Sequence, residues 1–339
     1  MPRLRDAGEL EALRRLIAAR AADPTVVVGP GDDAAVLRPE PGMDLVATTD
    51  AFVEGRHYLP EWLAPAGLGG RLAAANLSDL AAMAAEPRWA LLSIGARADH
   101  EVEALEALEH GLEQALRSEG AVVVGGNIAA TEGPEWLSLT LLGEVAPGRA
   151  WARRGARPGD LIAASGAPGR AGAGLRLARS LGVKGRERVP AEWQALVDAW
   201  LAPRARVALA RMLAATGAVT AAIDLSDGLL GDLGQLCRAS AVGAEIRGEA
   251  GGADPLLARA AKTLDVDPFD LWAGPSDDYE LLLAVDPSRR AACELAAEAA
   301  GVALAFIGRF TDAPGAIERL DGGSRRTLDP TGFDHFARG

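Results

Sequence analysis

Short apolar runs alternate with Ala- and Leu-rich stretches of helical spacing along this whole chain. Several of these runs meet a turn that carries one or two aspartates, often with glycine in the same turn. An opening helix is expected over 7–20, carried by Leu10, Leu13, Leu16 and Ile17. TVVVG (25–29), DLVATTD (44–50), WALLSIGA (89–96), AVVVGGN (121–127) and WLSLTLLGEV (136–145) read as strands, with helices between them over 66–85 and 101–117. The segment 146–160 (APGRAWARRGARPGD) has the Pro, Gly and charge density of a boundary. The pattern then restarts. DLIAASG (160–166), AAIDLSD (221–227), AEIRG, DYELLLAV and VALAFIGRF are strand-like; 172–181, 205–216 and 229–240 are helical, and 182–203 is a more variable helical excursion. Such alternation predicts the α/β class, of α+β type, in two mixed α/β domains. A chain of 339 residues exceeds one ordinary core, and the boundary divides it into domains at 1–147 and 148–339.

The acidic turns carry the chemistry. They read GDDAAVL (31–37), TTDAFVEGRHY (48–58), NLSDLAAM (76–83), DLSDGL (224–229) and GPSDDYELL (274–282). Carboxylates gathered in one cleft repel one another and require cations, and the hard cation suited to oxygen ligands and phosphates is Mg²⁺. In the first turn Asp33 is favoured as the inward ligand with Asp32 second, although the pair taken alone reads more simply as a plain Asx turn. Thr48, Thr49 and Asp50 offer hydroxyl and carboxylate oxygens at a strand end, and His57 follows on a short loop. Asn76 and Asp79 share a helical face, where Asp79 either meets a cation or caps a backbone group. Asp224, Ser226 and Asp227 lead into a helix start, as anion-site residues or as caps. The Gly-rich run SGAPGRAGAGL (165–175) has no Walker lysine, yet its backbone N–H groups remain candidates for approach to a phosphate. Arg153, beside the boundary, is either a nucleotide-phosphate contact or a solvated arginine.

A net charge of −12 argues against nucleic acid, which needs a basic face, but not against small phosphates once Mg²⁺ is bound. Cys237 and Cys293 lack metal-site spacing and fit a reducing, cytoplasmic setting. The charged, helical N-terminal segment does not read as a signal peptide, and no apolar stretch is long enough for a membrane span.

The order GDDAAV, TTDAFVEGRH, NLSDLAAM, VVVGGN, ARPGD, IDLSDGL, DDYELL and a GFDHF tail resembles the thiamine-monophosphate kinase family over about residues 7–336. That family lies in the superfamily of aminoimidazole ribonucleotide synthetase. The resemblance implies the aminoimidazole ribonucleotide synthetase-like fold, with the N-terminal domain pairing across a homodimer. It implies direct in-line phosphorylation of thiamine monophosphate to thiamine diphosphate, with ATP as co-substrate and several Mg²⁺ ions. No side-chain base or nucleophile is expected. By motif, the implied metal ligands are Asp33, Thr48, Thr49, Asp50, Asp79, Asn127, Asp224 and Asp227. The implied nucleotide contacts are Gly126, Arg153 and Ser226, and the substrate contacts His57, Asp277 and Phe333. The chain departs from the family pattern at Asn127, where an aspartate is usual, at Pro275 and Asp277 in GPSDDYEL, and at Phe333, where Tyr or Trp is common. The alternatives are an aminoimidazole ribonucleotide synthetase-like ligase and a catalytically silent nucleotide-binding module.

Overall fold

The computed structural model describes residues 2–18 and 23–333. Residues 19–20 of the expected opening helix and 334–336 of the tail motif lie outside the described residues. The chain divides into two compact units, Met1–Leu80 with Ala85–Gly148, and Ala81–Ala84 with Arg149–Gly339.

The first unit runs α1 (Leu4–Ala7), α2 (Glu9–Ala18), β1 (Val26–Val28), β2 (Val36–Leu37), β3 (Asp44–Val53), α3 (Pro65–Ala82), β4 (Glu86–Ala96), α4 (Val102–Ser118), β5 (Val122–Ala130) and β6 (Trp136–Val145). The last two residues of α3 fall in the second unit. Four strands form one sheet in the order β3-β6-β4-β5, antiparallel except for β4–β5. Side chains alternate between its faces. Helix α3 covers the face that carries Thr48 and Asp50, and two glycines let it approach α4. A Cβ on Gly69 would lie 2.0 Å from the Leu108 carbonyl oxygen, and one on Gly111 2.0 Å from that of Ala66. At one end of the opposite face, Val26, Ala35 and Leu37, from β1, β2 and their loop, pack on Trp89, Val122 and Val124. Elsewhere on that face Leu45 is 56% exposed and Leu91 39%.

The second unit contains β7 (Leu161–Ser165), α5 (Arg170–Leu181), α6 (Gln194–Leu201), α7 (Val207–Thr216), β8 (Val219–Leu225), α8 (Leu229–Ser240), β9 (Gly243–Arg247), α9 (Pro255–Leu264), α10 (Pro268–Ala273), β10 (Glu280–Val285), α11 (Arg290–Ala300), β11 (Leu304–Thr311), β12 (Ile317–Asp321) and β13 (Ser324–Leu328). Its seven-stranded sheet has the order β13-β12-β9-β11-β7-β10-β8. Strand β10 lies between β7 and β8 and is buried at all six positions, which is why ELLLAV is apolar without alternation. Its first residue, Glu280, is the exception in type. That carboxylate is matched by the Arg206 guanidinium and by the Ser165 hydroxyl at 2.5 Å.

Candidate active site

Each unit gathers its own acidic cluster. In the first, period-two geometry aims Thr48 and Asp50 of β3 at α3, where Thr48 Oγ1 donates to Asp79 Oδ2 at 2.5 Å. Burial, and then the nearby Asp79 charge, push the Asp50 carboxyl up to about 6. A buried carboxyl beside a second acid is relieved either by a proton or by a cation. One helical turn before Asp79, the fully buried Asn76 donates through Nδ2 to Leu72 O at 3.0 Å, while its Oδ1 has no hydrogen-bond partner among the described residues.

The unit does not bring every expected ligand to this pair. Thr49 points to the opposite sheet face, where its hydroxyl accepts from Thr140 Oγ1 at 3.2 Å. Asn127 belongs to that same face: it is in register with Ser93, which faces Ser138, which faces Ala51. Asp33 is exposed in the 29–35 loop, whose Ala35 packs on the Trp89 side of the sheet. The expected grouping of Thr49 and Asn127 with Thr48, Asp50 and Asp79 on one sheet face is therefore not formed within the unit. The reason is strand alternation, which separates neighbours such as Thr48 and Thr49 onto two faces. Gly126 has a backbone reason to be glycine: a Cβ there would sit 1.9 Å from the Leu92 carbonyl oxygen on β4.

His57 closes the turn after β3. Its Nδ1 accepts the Val53 N–H at 3.0 Å, and its ring stacks on Phe52 at 5.8 Å between centroids and 9° between planes. In the neutral ring that bond leaves the proton on Nε2, which is then a donor. The turn is braced from outside. Glu54 accepts from Arg97 Nη1 at 2.5 Å and from the Glu135 N–H at 3.1 Å, and the Arg97 bond holds the Glu54 carboxyl below its ordinary range.

In the second unit β8 ends on the buried Asp224, and the turn 226–228 leads into α8 through Gly228 at φ 106°. Asp227, Phe333 and Arg153 each have a contact at this helix start. The Phe333 N–H donates to the Asp227 carbonyl oxygen at 3.2 Å, which brings the backbone of the exposed Phe333 to the turn. Gly274, opening the loop that carries Asp277, presses on Gly228, where a Cβ would lie 2.2 Å from the Gly274 oxygen. Arg153 Nη1 donates to Gln235 Oε1 at 2.5 Å, and Gln235 Nε2 lies 3.4 Å from both Asp227 Oδ2 and Asp232 Oδ1. Asp232, 1% exposed, accepts the N–H groups of Ser226 at 3.2 Å and Asp227 at 3.1 Å through Oδ2. Burial first, and the Asp227 charge second, push its carboxyl up to about 7. Asp232 and Gln235 are absent from the sequence-based set; the signal for the first is a third acid in DLSDGLLGD.

The Gly-rich run before α5 is not open to phosphate. Asp278 accepts the Gly169 N–H at 2.6 Å and the Ala171 N–H at 2.9 Å, and Ser276 Oγ accepts that of Gly172 at 2.8 Å. Three donors of that helix start are thus taken by the GPSDDYEL motif. Desolvation pushes the Asp278 carboxyl up to about 7 even so.

Among the described residues no three or more His, Cys, Asp or Glu side chains group closely enough to hold a metal alone. The donor types present, the Asp50 and Asp79 carboxylates with the Thr48 hydroxyl in one unit and Asp224, Ser226 and Asp227 within four residues of one another in the other, suit Mg²⁺. That ion keeps waters and phosphate oxygens as ligands and takes one or two carboxylates from protein.

Residues 31–145 match the family described as AIR synthase related protein, N-terminal domain, and 157–321 match AIR synthase related protein, C-terminal domain. The thiamine-monophosphate kinase of Salmonella typhimurium is 35% identical over 317 residues, covering 92% of this chain and 93% of the relative. The crystal structure of thiamine-monophosphate kinase from Stenotrophomonas maltophilia K279a superposes with a TM-score of 0.79 at 31% identity, covering 91% of this chain and 95% of that one. AaThiL complexed with AMPPCP and TMP gives 0.76 at 28% identity, with 99% of each chain covered. The two-domain fold, the motif order and this identity carried across both units lead to one conclusion: the chain belongs to the thiamine-monophosphate kinase family.

Proposed function

We propose that this chain transfers the γ-phosphoryl group of ATP to the phosphate of thiamine monophosphate, yielding thiamine diphosphate and ADP. The observation that carries this reading is kinship across 92% of the chain with named thiamine-monophosphate kinases, joined to a relative solved with AMPPCP and TMP. The acceptor is a phosphate monoester, ionised near neutral pH. The task is then to bring two anions together, and no side-chain base is needed. Two unit charges about 4 Å apart repel by about 4 kcal/mol at an effective dielectric of about 20, and both reactants carry more than one.

Asp50, Asp79 and Thr48 of the first unit, and Asp224 and Asp227 of the second, would hold Mg²⁺. Bound there, Mg²⁺ supplies the positive charge that offsets the repulsion and favours direct in-line transfer. Arg153 and Ser226 contact the nucleotide phosphates, and His57 donates from Nε2 to the substrate phosphate. Asp277 meets the cationic ring of thiamine and Phe333 packs on its apolar surface. Thr49 and Asn127, on the opposite sheet face, take no part in holding an ion at the Asp50–Asp79 pair. We also infer a homodimer formed through the open face of the first unit's sheet, on which Leu45 and Leu91 are exposed. A cytoplasmic site of action fits the free thiols of Cys237 and Cys293.

The test is thiamine diphosphate formation from ATP and thiamine monophosphate, with Mg²⁺ present, chelated and restored. Product is expected to vanish with chelation and return with the metal. Absence of product in the complete mixture would refute the proposed activity. Label from [γ-³²P]ATP trapped on the protein would refute direct transfer.

A further inference from the structure

The second unit contains a connection that the reaction alone does not require. Gln235 stands on α8 one turn beyond Asp232, and its amide has an assigned direction. The oxygen faces the Arg153 guanidinium at 2.5 Å, so the nitrogen faces the two carboxylates, 3.4 Å from each. A reversed amide would set N–H against N–H at Arg153 and oxygen against oxygen at Asp227 and Asp232. Asp232 in turn holds the Ser226 and Asp227 N–H groups on a single buried oxygen. The backbone around Arg153 is tied to the same helix: Ser240 Oγ accepts the N–H groups of Gly155 at 3.1 Å and Ala156 at 3.2 Å and donates to the Arg153 carbonyl oxygen at 3.0 Å. Helix α8 thus grips the arginine by side chain and backbone and grips the Asp227 turn at its other end.

We propose that Gln235, backed by Asp232, is a positioning residue that locks Arg153 and Asp227 into one unit, so that neither is displaced without the other. The inference rests on the reading that Arg153 meets nucleotide phosphate and Asp227 meets Mg²⁺. A guanidinium and a carboxylate that share one amide as neighbour would otherwise be drawn together and neutralise each other, leaving neither for its ligand. The amide separates them while satisfying both, since it accepts from one and donates to the other.

The experiment is a double-mutant cycle on Mg²⁺·AMPPCP binding by calorimetry, using the full chain, Gln235→Met, Arg153→Ala and the double variant. Methionine keeps the length of glutamine and removes the amide. The melting midpoint without nucleotide is expected to stay within about 2 °C of wild type, because the amide is half-buried and its bonds to the carboxylates are long. Affinity is expected to fall about fivefold or more in Gln235→Met, and by no more in the double variant than in Arg153→Ala. A smaller loss in Gln235→Met, or losses that multiply in the double variant, overturns the proposal while leaving the activity intact. Should Gln235→Met melt lower, Gln235→Glu decides: it keeps the acceptor for Arg153, sets a third carboxylate against Asp227 and Asp232, and must bind at least as poorly. Wild-type protein that binds no Mg²⁺·AMPPCP overturns both this inference and the reading beneath it.

Discussion

At the scale of the residue, the Asp50–Asp79 pair makes the sharpest demand. The folded Asp50 carboxyl keeps its proton up to about pH 6 against an ordinary 3.8. The folded state therefore binds more protons than the unfolded one between those values. The group's favourable contribution is complete below pH 3.8 and is lost as pH rises through about 6. Metal-free protein carrying Asp50→Asn is expected to show a flatter dependence of melting midpoint on pH over that window than wild type. At pH 7.5 it should melt about 2–6 °C higher. Thiamine diphosphate formation should fall by about 100-fold or more, the loss expected from the Mg²⁺-holding role proposed for Asp50. Equal midpoints across the whole pH range would remove the argument for a like-charge pair. The motif itself was legible, since TTD ends an apolar run, but its facing was not. Leu45 is exposed and Val46 half-buried, and with apolar residues on both faces of β3 the alternation does not say whether Thr48 or Thr49 turns to the helix.

At the scale of the element, close approach and internal capping decide more than propensity does. Gly111→Ala places a methyl 2.0 Å from a carbonyl oxygen of α3, so the helices must separate. The expected cost is about 1–3 kcal/mol, read as a shifted urea midpoint. Asp278→Ala strips the acceptor from two buried N–H groups at the start of α5, and the expected loss is about 2–5 kcal/mol by the same measurement. Midpoints unchanged in either variant would contradict the packing described. Helix α8 begins and ends where the sequence indicates, at Leu229 and Ser240, because its apolar spacing and its flanking DG are strong signals. Helices α9 and α10 carry an equally plain signal, Asp254-Pro255 and Asp267-Pro268, with each aspartate capping the residue two ahead. A reading drawn to acids as ligands leaves them out. The β12–β13 hairpin has no apolar run to find: β13 is exposed at four of its five positions and is known only by its Gly322-Gly323 turn.

At the scale of the whole molecule, the open sheet face of the first unit sets the expected assembly. Leu45→Glu with Leu91→Glu should convert a species of twice the chain mass to one of the chain mass, measured by light scattering after size exclusion. Wild-type protein already at the single-chain mass would refute the homodimer. Class, motif order and the family were all open to inspection in the sequence, because each motif sits where an element ends. Which residues converge was not, since convergence depends on strand register and on partners as remote as Arg153 and Gln235.

Helix α3 begins among the residues of one unit, and its last two residues, with Met83 and Ala84 beyond them, belong to the other; there the Met83 carbonyl oxygen accepts the Trp151 N–H at 3.2 Å. A gene severed after codon 148 would therefore yield a C-terminal fragment missing its own residues 81–84. Neither half should behave as a self-sufficient module, and any swap of halves among relatives has to carry that tetrapeptide along with the part of the chain it serves.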